Sequence, residues 1–448
     1  MPSTAPRVTL TNASVDVLNA IRNSASMNYQ NYVPIATPDA EVIREIGAII
    51  MDMPALQNEF VSALINRIGR VLISSRMYEN PWRMFKLGKL DFGETIEDVF
   101  VELADPHQYD PEAAETNVER REIPDIRSTF YVMNYEKFYK QTVQEQDLRR
   151  AFLSIDGVTS LIAKIVESMY TGANYDEFQV MKYMLAKRLL KGQMYSAPLT
   201  DVTDMKELAT AIKSMSNQLE FMSDKYNLAH VHNFAPKSEQ YVILTADADA
   251  HMDVEVLATA FHMDKAEFMG HRVLIDSFGA IDNDRLAVLF ADDDTYVPLT
   301  QAELTALSTI PAVLVDEAFF KIVDIYDMTG NRYNQEGLYW NYWYHVGKTF
   351  ASSPFANAIM FNPGEPAITS VTVAPATATL AAGGTIQMTA TVVGTNFASQ
   401  EVTWTATAGT ITPSGFFTAP ASGTATITAT SKVDATKTGT ATITVAGS

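Results

Sequence analysis

The chain has no cysteine among its 448 residues. That removes disulfides, thiolate metal sites and thiol nucleophiles, and leaves packing alone to hold the fold. Charged residues are also scarce, at 19%, and they are unbalanced, for the formal net charge is −20. So acidic a chain has no basic footprint for gripping nucleic acid, and duplex DNA would be repelled at long range. Sequence-specific readers are thereby excluded more firmly than containers. No stretch approaches the roughly 18 apolar residues of a membrane span, and Met1 to Leu18 is polar and broken by Pro2 and Pro6, unlike a signal peptide. The expectation is a soluble protein without membrane partner or targeting segment, folding in a reducing cytoplasm.

What is present is core material: 47% hydrophobic residues and 10% aromatics, enough for a large core and for two or three domains. Residues up to about Ala48 carry few apolar repeats and the breakers Pro34 and Pro38, which predicts an extended arm with at most one short helix near Val15 to Arg22. After Pro54, Leu56, Phe60, Leu64 and Ile68 recur every fourth residue, widened by Val61 and Ile65 and stopped by Gly69, the pattern of a helix buried on one face. From Pro81 to about Ile126 the pattern changes. Gly88 and Gly93 punctuate it, Val99, Val101 and Leu103 alternate, and Pro106, Pro111 and Pro124 forbid a long helix in its second half. The charged run Glu119, Arg120, Arg121, Glu122 lies within it. A segment this long with few core positions is usually functional or ordered by a partner, and it reads as a projecting hairpin.

A helical layer follows. Leu161, Ile162, Ile165, Val166 and Met169 form a stripe between Gly157 and Gly172, and Asn174 with Glu177 has the spacing of a capping box for a second helix. That helix would bury Phe178, Met181, Leu185 and Leu189 and end at Gly192; a third, opened by Thr203, repeats Met205, Leu208, Ile212, Met215 and Leu219. Beyond Tyr241, strand-like runs at Tyr241 to Leu244, Val254 to Phe261, Val273 to Ile275, Leu286 to Phe290 and Phe320 to Tyr326 alternate with short helices. The fold class of this body is α+β rather than doubly wound.

Composition shifts at Asn362-Pro363-Gly364-Glu365-Pro366, a linker by its content. Residues 367–448 are rich in Thr, Ala and Val and alternate strictly, as in Val371 and Val373, Val402, Trp404 and Ala406, or Ala441, Ile443 and Val445, with turns at Gly383-Gly384, Pro413-Ser414-Gly415 and Ser422-Gly423. This is a β-sandwich, with Trp404 as its expected core anchor. Its Glu401 and Asp434 cancel Lys432 and Lys437, so the charge of −20 sits in the body. The spacing resembles the bacterial group 2 immunoglobulin-like domains, which display or stabilise surfaces.

Candidate chemistry is thin. Gly347-Lys348-Thr349 is the tail of a phosphate loop, but Tyr342 stands where its first glycine is needed, and Trp343, Tyr344 and His345 are too bulky to cradle phosphate. Asp292, Asp293 and Asp294, with Asp282 and Asp284, lack the spacing of a calcium loop. His230 and His232, or His251 and His262, lack supporting carboxylates at metal-site spacing. No nucleophile elbow is present, and neither catalytic residue, cofactor nor metal ligand is assigned. The tract Tyr339 to His345 is the most unusual local feature. As a sugar platform it would suit a lectin or glycosidase, but consecutive aromatics on a strand more often fill a core on one face and make a contact on the other.

Several segments together resemble the major capsid proteins of phi-29-like podoviruses, a branch of the Hong Kong 97 type tailed-phage capsid fold: Ala20-Ile21-Arg22-Asn23-Ser24, Asn31-Tyr32-Val33-Pro34, Arg67-Ile68-Gly69, Glu112 to Arg121, Ala246-Asp247-Ala248-Asp249 with Phe261 and Gly270, and Gly337 to Tyr342 with Phe355-Ala356-Asn357-Ala358. Their order runs through nearly the whole body. The resemblance implies a shell domain over residues 1–361: an N-terminal arm (1–48), an extended loop (81–126), a mainly peripheral domain with a spine helix (127–240) and a mainly axial domain (241–333). A linker (362–366) and the sandwich follow. It further implies a non-enzymatic subunit of an icosahedral-type virion shell, assembled in the host cytoplasm from hexamers and pentamers. Scaffolding and portal proteins would be its partners, and DNA would be enclosed without specific binding. Contacts between copies would engage Lys86, Lys89, Arg120, Arg121 and Glu122. Some relatives crosslink a loop lysine to an asparagine, here Lys86 or Lys89 with Asn341 or Asn357, although this branch is not expected to. The competing readings are a surface adhesin and a polysaccharide-degrading enzyme with an accessory module.

Overall fold

The computed structural model describes residues 10–60, 63, 78–90, 95–110, 121–144, 157–255 and 271–445. The chain divides into two compact units, one of residues 1–95, 132–180 and 322–350, the other of 96–131, 181–321 and 351–448.

In the first unit the expected extended arm is instead helical: Leu10–Ser24, Met27–Tyr32 and Ala40–Asp52 are helices. Asn19 exchanges two hydrogen bonds with the backbone of Ala36, at 2.9 and 2.8 Å, and Arg22 Nε donates to Val33 O at 2.7 Å, so the turn around Pro34 is folded back. Asp39 caps the third helix by accepting from the Glu41 N–H, and Ile43, Ile46 and Ile50 are buried along it. Residues 54–60 are helical after Pro54, with Leu56 and Phe60 buried; Leu64, Ile68 and Gly69 lie outside the described residues. A four-stranded sheet completes the unit, in the order Lys86–Lys89, Phe320–Asn334, Tyr339–Ser352, Tyr135–Gln144. Within it, Tyr339–Ser352 and Tyr135–Gln144 run antiparallel.

The two helices expected around Gly172 are one, Gly157–Leu190. Gly172 costs a helix interior about 1 kcal/mol relative to alanine, too little to end a helix that buries Met169, Ala173 and Phe178 on either side of it. Asn174 and Glu177 therefore cap nothing; Asn174 Nδ2 donates to Tyr78 O at 3.0 Å, and Glu177 is buried among charges.

The second unit is built on a five-stranded sheet ordered Tyr195–Leu199, Ala358–Pro363, Ala312–Asp316, Gln240–Thr245, His271–Ile275, with parallel pairs at both ends and antiparallel pairs between. Leu208 and Ile212 of the helix Met205–Gln218 and Met252 of the helix Ala246–Glu255 share a core with Val242, Leu244, Leu314, Ile359 and Phe361. The cap of Met205–Gln218 is Asp204, which accepts from the Lys206 and Glu207 N–H groups, rather than Thr203. Two expected strands are corrected. Leu286 to Phe290 falls on the helix Asn283–Leu289, capped by Asp282, with Leu286 and Leu289 buried on one side. Val254 and Glu255 lie in the helix Ala246–Glu255, and 256–261 lie outside the described residues.

The sandwich has the alternation read from its sequence. Thr438–Val445 and Gly423–Ser431 pair antiparallel in a sheet with Thr377–Leu380 and Val402–Ala406, while Ala367–Ala374 pairs with Thr389–Thr395. Ala425, Ile427, Ala429 and Ile443 point inward. Trp404 is only half-buried against this core; the aromatic ring at its centre belongs to Phe417, which is fully buried.

Candidate functional site

Two groups of side chains stand out, one buried and one exposed. The buried group surrounds Glu177, whose side chain is 2% exposed. Lys86 Nζ lies 3.1 Å from Glu177 and 2.5 Å from Asp324, Lys348 bridges the same two acids, and Asn80 Nδ2 donates to Glu177 Oε1 at 2.6 Å. Two ammoniums and two carboxylates thus balance. Burial would push the Glu177 carboxyl up, but Lys348 and Lys86, with the hydrogen bond from Asn80, hold it below the usual carboxylate range. Desolvation likewise opposes the charge on Lys86, and Glu177 and Asp324 outweigh it, raising its pKa. Next to Glu177, Asp176 is fully buried and accepts from the Tyr139 hydroxyl at 2.7 Å. Acids that a cap would have left in water thus tie the helix to its unit's sheet.

The exposed group is the hairpin of Ile96–Val101 and Ile126–Tyr131, antiparallel with Phe100 opposite Arg127 and Val101 opposite Ile126. Alternation gives it two faces. Asp98, Phe100, Arg127 and Tyr131 face its own unit: Asp98 accepts from Ser353 Oγ at 2.6 Å and stands 3.6 Å from Lys321 Nζ, Phe100 stacks on Phe355 at 5.8 Å, and Arg127 Nη1 donates to Ala229 O at 2.7 Å. Burial and the charge of Asp98 push the Tyr131 hydroxyl up to about 12. Beyond the strand, Glu102 is 2.6 Å from His232 Nδ1. Desolvation would raise the Glu102 carboxyl, but the hydrogen bonds with the His232 ring and from the Leu103 and His232 N–H groups together outweigh it and hold it below its usual range.

The other face is exposed, with nothing covering it among the described residues. Val99, Val101, Leu103, Ile126 and Phe130 are exposed, Phe130 at 62%, and Tyr109 and Ile123 further along are each 90% exposed. Burying such side chains is worth roughly 25 cal/mol per Å² of apolar surface, and contiguous exposed apolar surface marks an interaction site. Glu122 pairs with His107 at 2.6 Å, both exposed. Arg121 is exposed beside it, and Arg120 lies outside the described residues. Lys89 is exposed and pairs with Asp327 at 2.6 Å, whereas Lys86 belongs to the buried group. Sequence spacing could not have found Asp98, Phe100, Glu102 or Arg127, because their partners lie more than 100 residues away.

The remaining motifs resolve into structure. Gly347, Lys348 and Thr349 lie inside a strand, and the Lys348 ammonium is committed to Glu177 and Asp324. Asp293 accepts from the Thr295 N–H and hydroxyl at 2.8 and 2.6 Å in an exposed turn. The aromatic tract alternates as a strand: Trp340, Tyr342 and Tyr344 are buried, while Trp343 stacks under Lys140 Nζ at 5.8 Å and His345 against Phe138 at 5.5 Å. It fills a core on one face and meets its neighbouring strand on the other.

Two family models match the chain. Residues 18–362 match the family model of the Phi29-like phage major capsid protein, and residues 367–446 that of the bacterial Ig-like domain (group 2). The major capsid protein of Bacillus phage B103 is 35% identical over 426 residues, covering 92% of this chain and 88% of that protein. That of Bacillus phage PZA is 33% identical over 403 residues, covering 88% and 84%. Among solved structures, the capsid of Staphylococcus phage Andhra matches with a TM-score of 0.51 at 16% identity, covering 64% of this chain and 85% of that one, a likeness of fold alone. Nothing in these likenesses supports the adhesin or the polysaccharide-degrading reading.

Proposed function

We propose, from the premise that the chain belongs to the Phi29-like phage major capsid protein family and is a capsid shell subunit, that the strand pair Ile96–Val101 and Ile126–Tyr131 is its principal reach onto a neighbouring copy. One observation carries this. The hairpin is anchored on its inner face by Asp98, Phe100 and Arg127, and its outer face of Val99, Val101, Ile126 and Phe130 is exposed and uncovered among the described residues. A strand pair held rigidly on one side loses little conformational freedom when its other side is covered, so most of the burial energy goes into association. Arg121 and Glu122 of the hairpin, and Lys89 in the other unit, offer exposed charges for pairing between copies.

The same reading assigns residues 1–48 to the arm, 81–126 to the extended loop, 127–240 mainly to the peripheral and 241–333 mainly to the axial domain. Copies would close by cyclic contacts into hexamers and pentamers of an icosahedral-type shell, assembled in the host cytoplasm with a scaffolding protein and a portal. Its work is geometry rather than catalysis. With −20 charges in its body, the inner wall would not adhere to packed DNA; empty shells binding duplex DNA tightly at physiological salt would overturn that part. The hairpin assignment is tested by co-expressing tagged Phe130→Asp subunits with wild type: the variant should stay out of purified shells, and its incorporation at wild-type stoichiometry would refute the assignment.

A further inference from the structure

The long helix Gly157–Leu190 ends in a cap that its own flanking residues make only in part. Gly192 is left-handed, at φ 59°; its N–H donates to Leu189 O at 2.9 Å and the Gln193 N–H to Arg188 O at 3.0 Å, the bonding of a Schellman turn. A helix leaves its last four carbonyls without intrahelical donors, and this turn serves two of them. The other two, on Leu190 and Lys191, accept from one residue of the sandwich. Gln400 Nε2 donates to Leu190 O at 3.3 Å, and the Gln400 backbone N–H to Lys191 O at 3.2 Å. The approach is so close that a Cβ on Gly192 would stand 2.5 Å from Phe397 O and 2.6 Å from Ser399 Cα.

The joint between body and sandwich is tied as tightly. Asn362 is fully buried, accepts from Ser196 Oγ at 2.7 Å, and donates to both Gly364 O and Asn396 O at 3.0 Å. The Gly364 N–H donates to Leu199 O at 3.0 Å, and Asn396 Nδ2 to Glu365 O at 2.9 Å. Asn396 and Phe397 are themselves left-handed, at φ 52° and 59°, a conformation that persists in non-glycine residues only where the surroundings over-determine it. A flexible linker has none of these bonds.

We propose that the sandwich is a brace of the shell body: the loop of residues 396–401 completes the carboxyl-terminal cap of the long helix and fixes the sandwich's direction, so that residues 362–366 act as a clamp rather than a tether. The interaction surface is the helix end at Leu190 to Gly192, and its partner is the chain's own sandwich. This assignment does not rest on how copies meet one another, so it is read on the dispersed full-length subunit.

Hydrogen exchange followed by mass spectrometry tests it on wild type, Gln400→Ala, Gly192→Ala and, as a control on the exposed face of the sandwich, Thr440→Ala. Loss of one net hydrogen bond should make the amides of residues 185–195 exchange roughly fivefold faster in Gln400→Ala, and more so in Gly192→Ala. Residues 425–429 and 441–445 should keep their protection, and Thr440→Ala should match wild type. Wild-type exchange over 185–195 in Gln400→Ala would overturn the brace, as would a chain ending at Glu365 whose helix end stays fully protected. Should Gly192→Ala fail to fold, Gln400→Ala decides.

Discussion

Lys348 and Glu177 form an ion pair across 171 residues of sequence, with side chains only 9% and 2% exposed. Lys86 and Asp324 complete the group, so each buried charge has an opposite neighbour. Such a group adds little net stability when complete but is costly to break, because a lone charge is then stranded away from water.

Glu177→Gln should therefore destabilise the dispersed subunit by about 3 kcal/mol at neutral pH, seen as a lower urea midpoint. The folded Glu177 carboxyl lies below its unfolded range, so its stabilisation is present above that range and is lost as pH falls through the folded value. The variant should consequently lose stability less steeply than wild type on acidification. Equal acid limbs would contradict the assignment.

Asp316 has the opposite sign. It is buried, and desolvation, with Glu239 and Glu317 nearby, raises its carboxyl from 3.8 to about 6 against the pull of the Ala318 N–H and Lys321. Its ionisation therefore costs stability as pH rises from about 4 to 6 and beyond. Asp316→Asn keeps an acceptor for Ala318, so it should stabilise the subunit by on the order of 1–2 kcal/mol at pH 8 and by almost nothing at pH 4. Thermal melts at the two pH values check this, and an equal shift at both would contradict it.

Phe130→Asp and Val101→Asp alter exposed positions, so subunit stability should change by no more than about 0.5 kcal/mol. Their effect should fall on association instead, with assembled material much reduced in sedimentation at equal expression. Normal assembly from either variant would move the contact elsewhere.

Covalent crosslinking is not expected, for Lys86 is held by Glu177 and Asp324 and Lys89 by Asp327, while Asn357 is fully buried and Asn341 accepts from Thr142 Oγ1. Shells boiled in detergent should release one species of 49.4 kDa. A ladder of multiples would show the reverse.

Much of this architecture is legible in short-range pattern. Met205, Leu208 and Ile212 repeat as a helix must and are buried, and Ala425, Ile427 and Ala429 alternate as a sandwich strand must. The third arm helix is equally visible in the spacing of Ile43, Ile46 and Ile50; Pro34 and Pro38, which break helices, both lie between helices rather than within them. The run Leu286 to Phe290 is too short for periodicity to separate strand from helix, and the Asp282 cap decides it. Glu177 could not be read at all, since Lys86 and Lys348 come from 91 and 171 residues away. The same holds for Gln400, whose partner carbonyl on Leu190 is 210 residues distant.

Electron microscopy of the chain expressed with and without a scaffolding protein tests the shell-subunit conclusion most directly. Closed shells, or sheets of hexamers with pentamers at points of curvature, are the expected result. Uniformly dispersed single subunits under both conditions, at concentrations where related shells form, would contradict it.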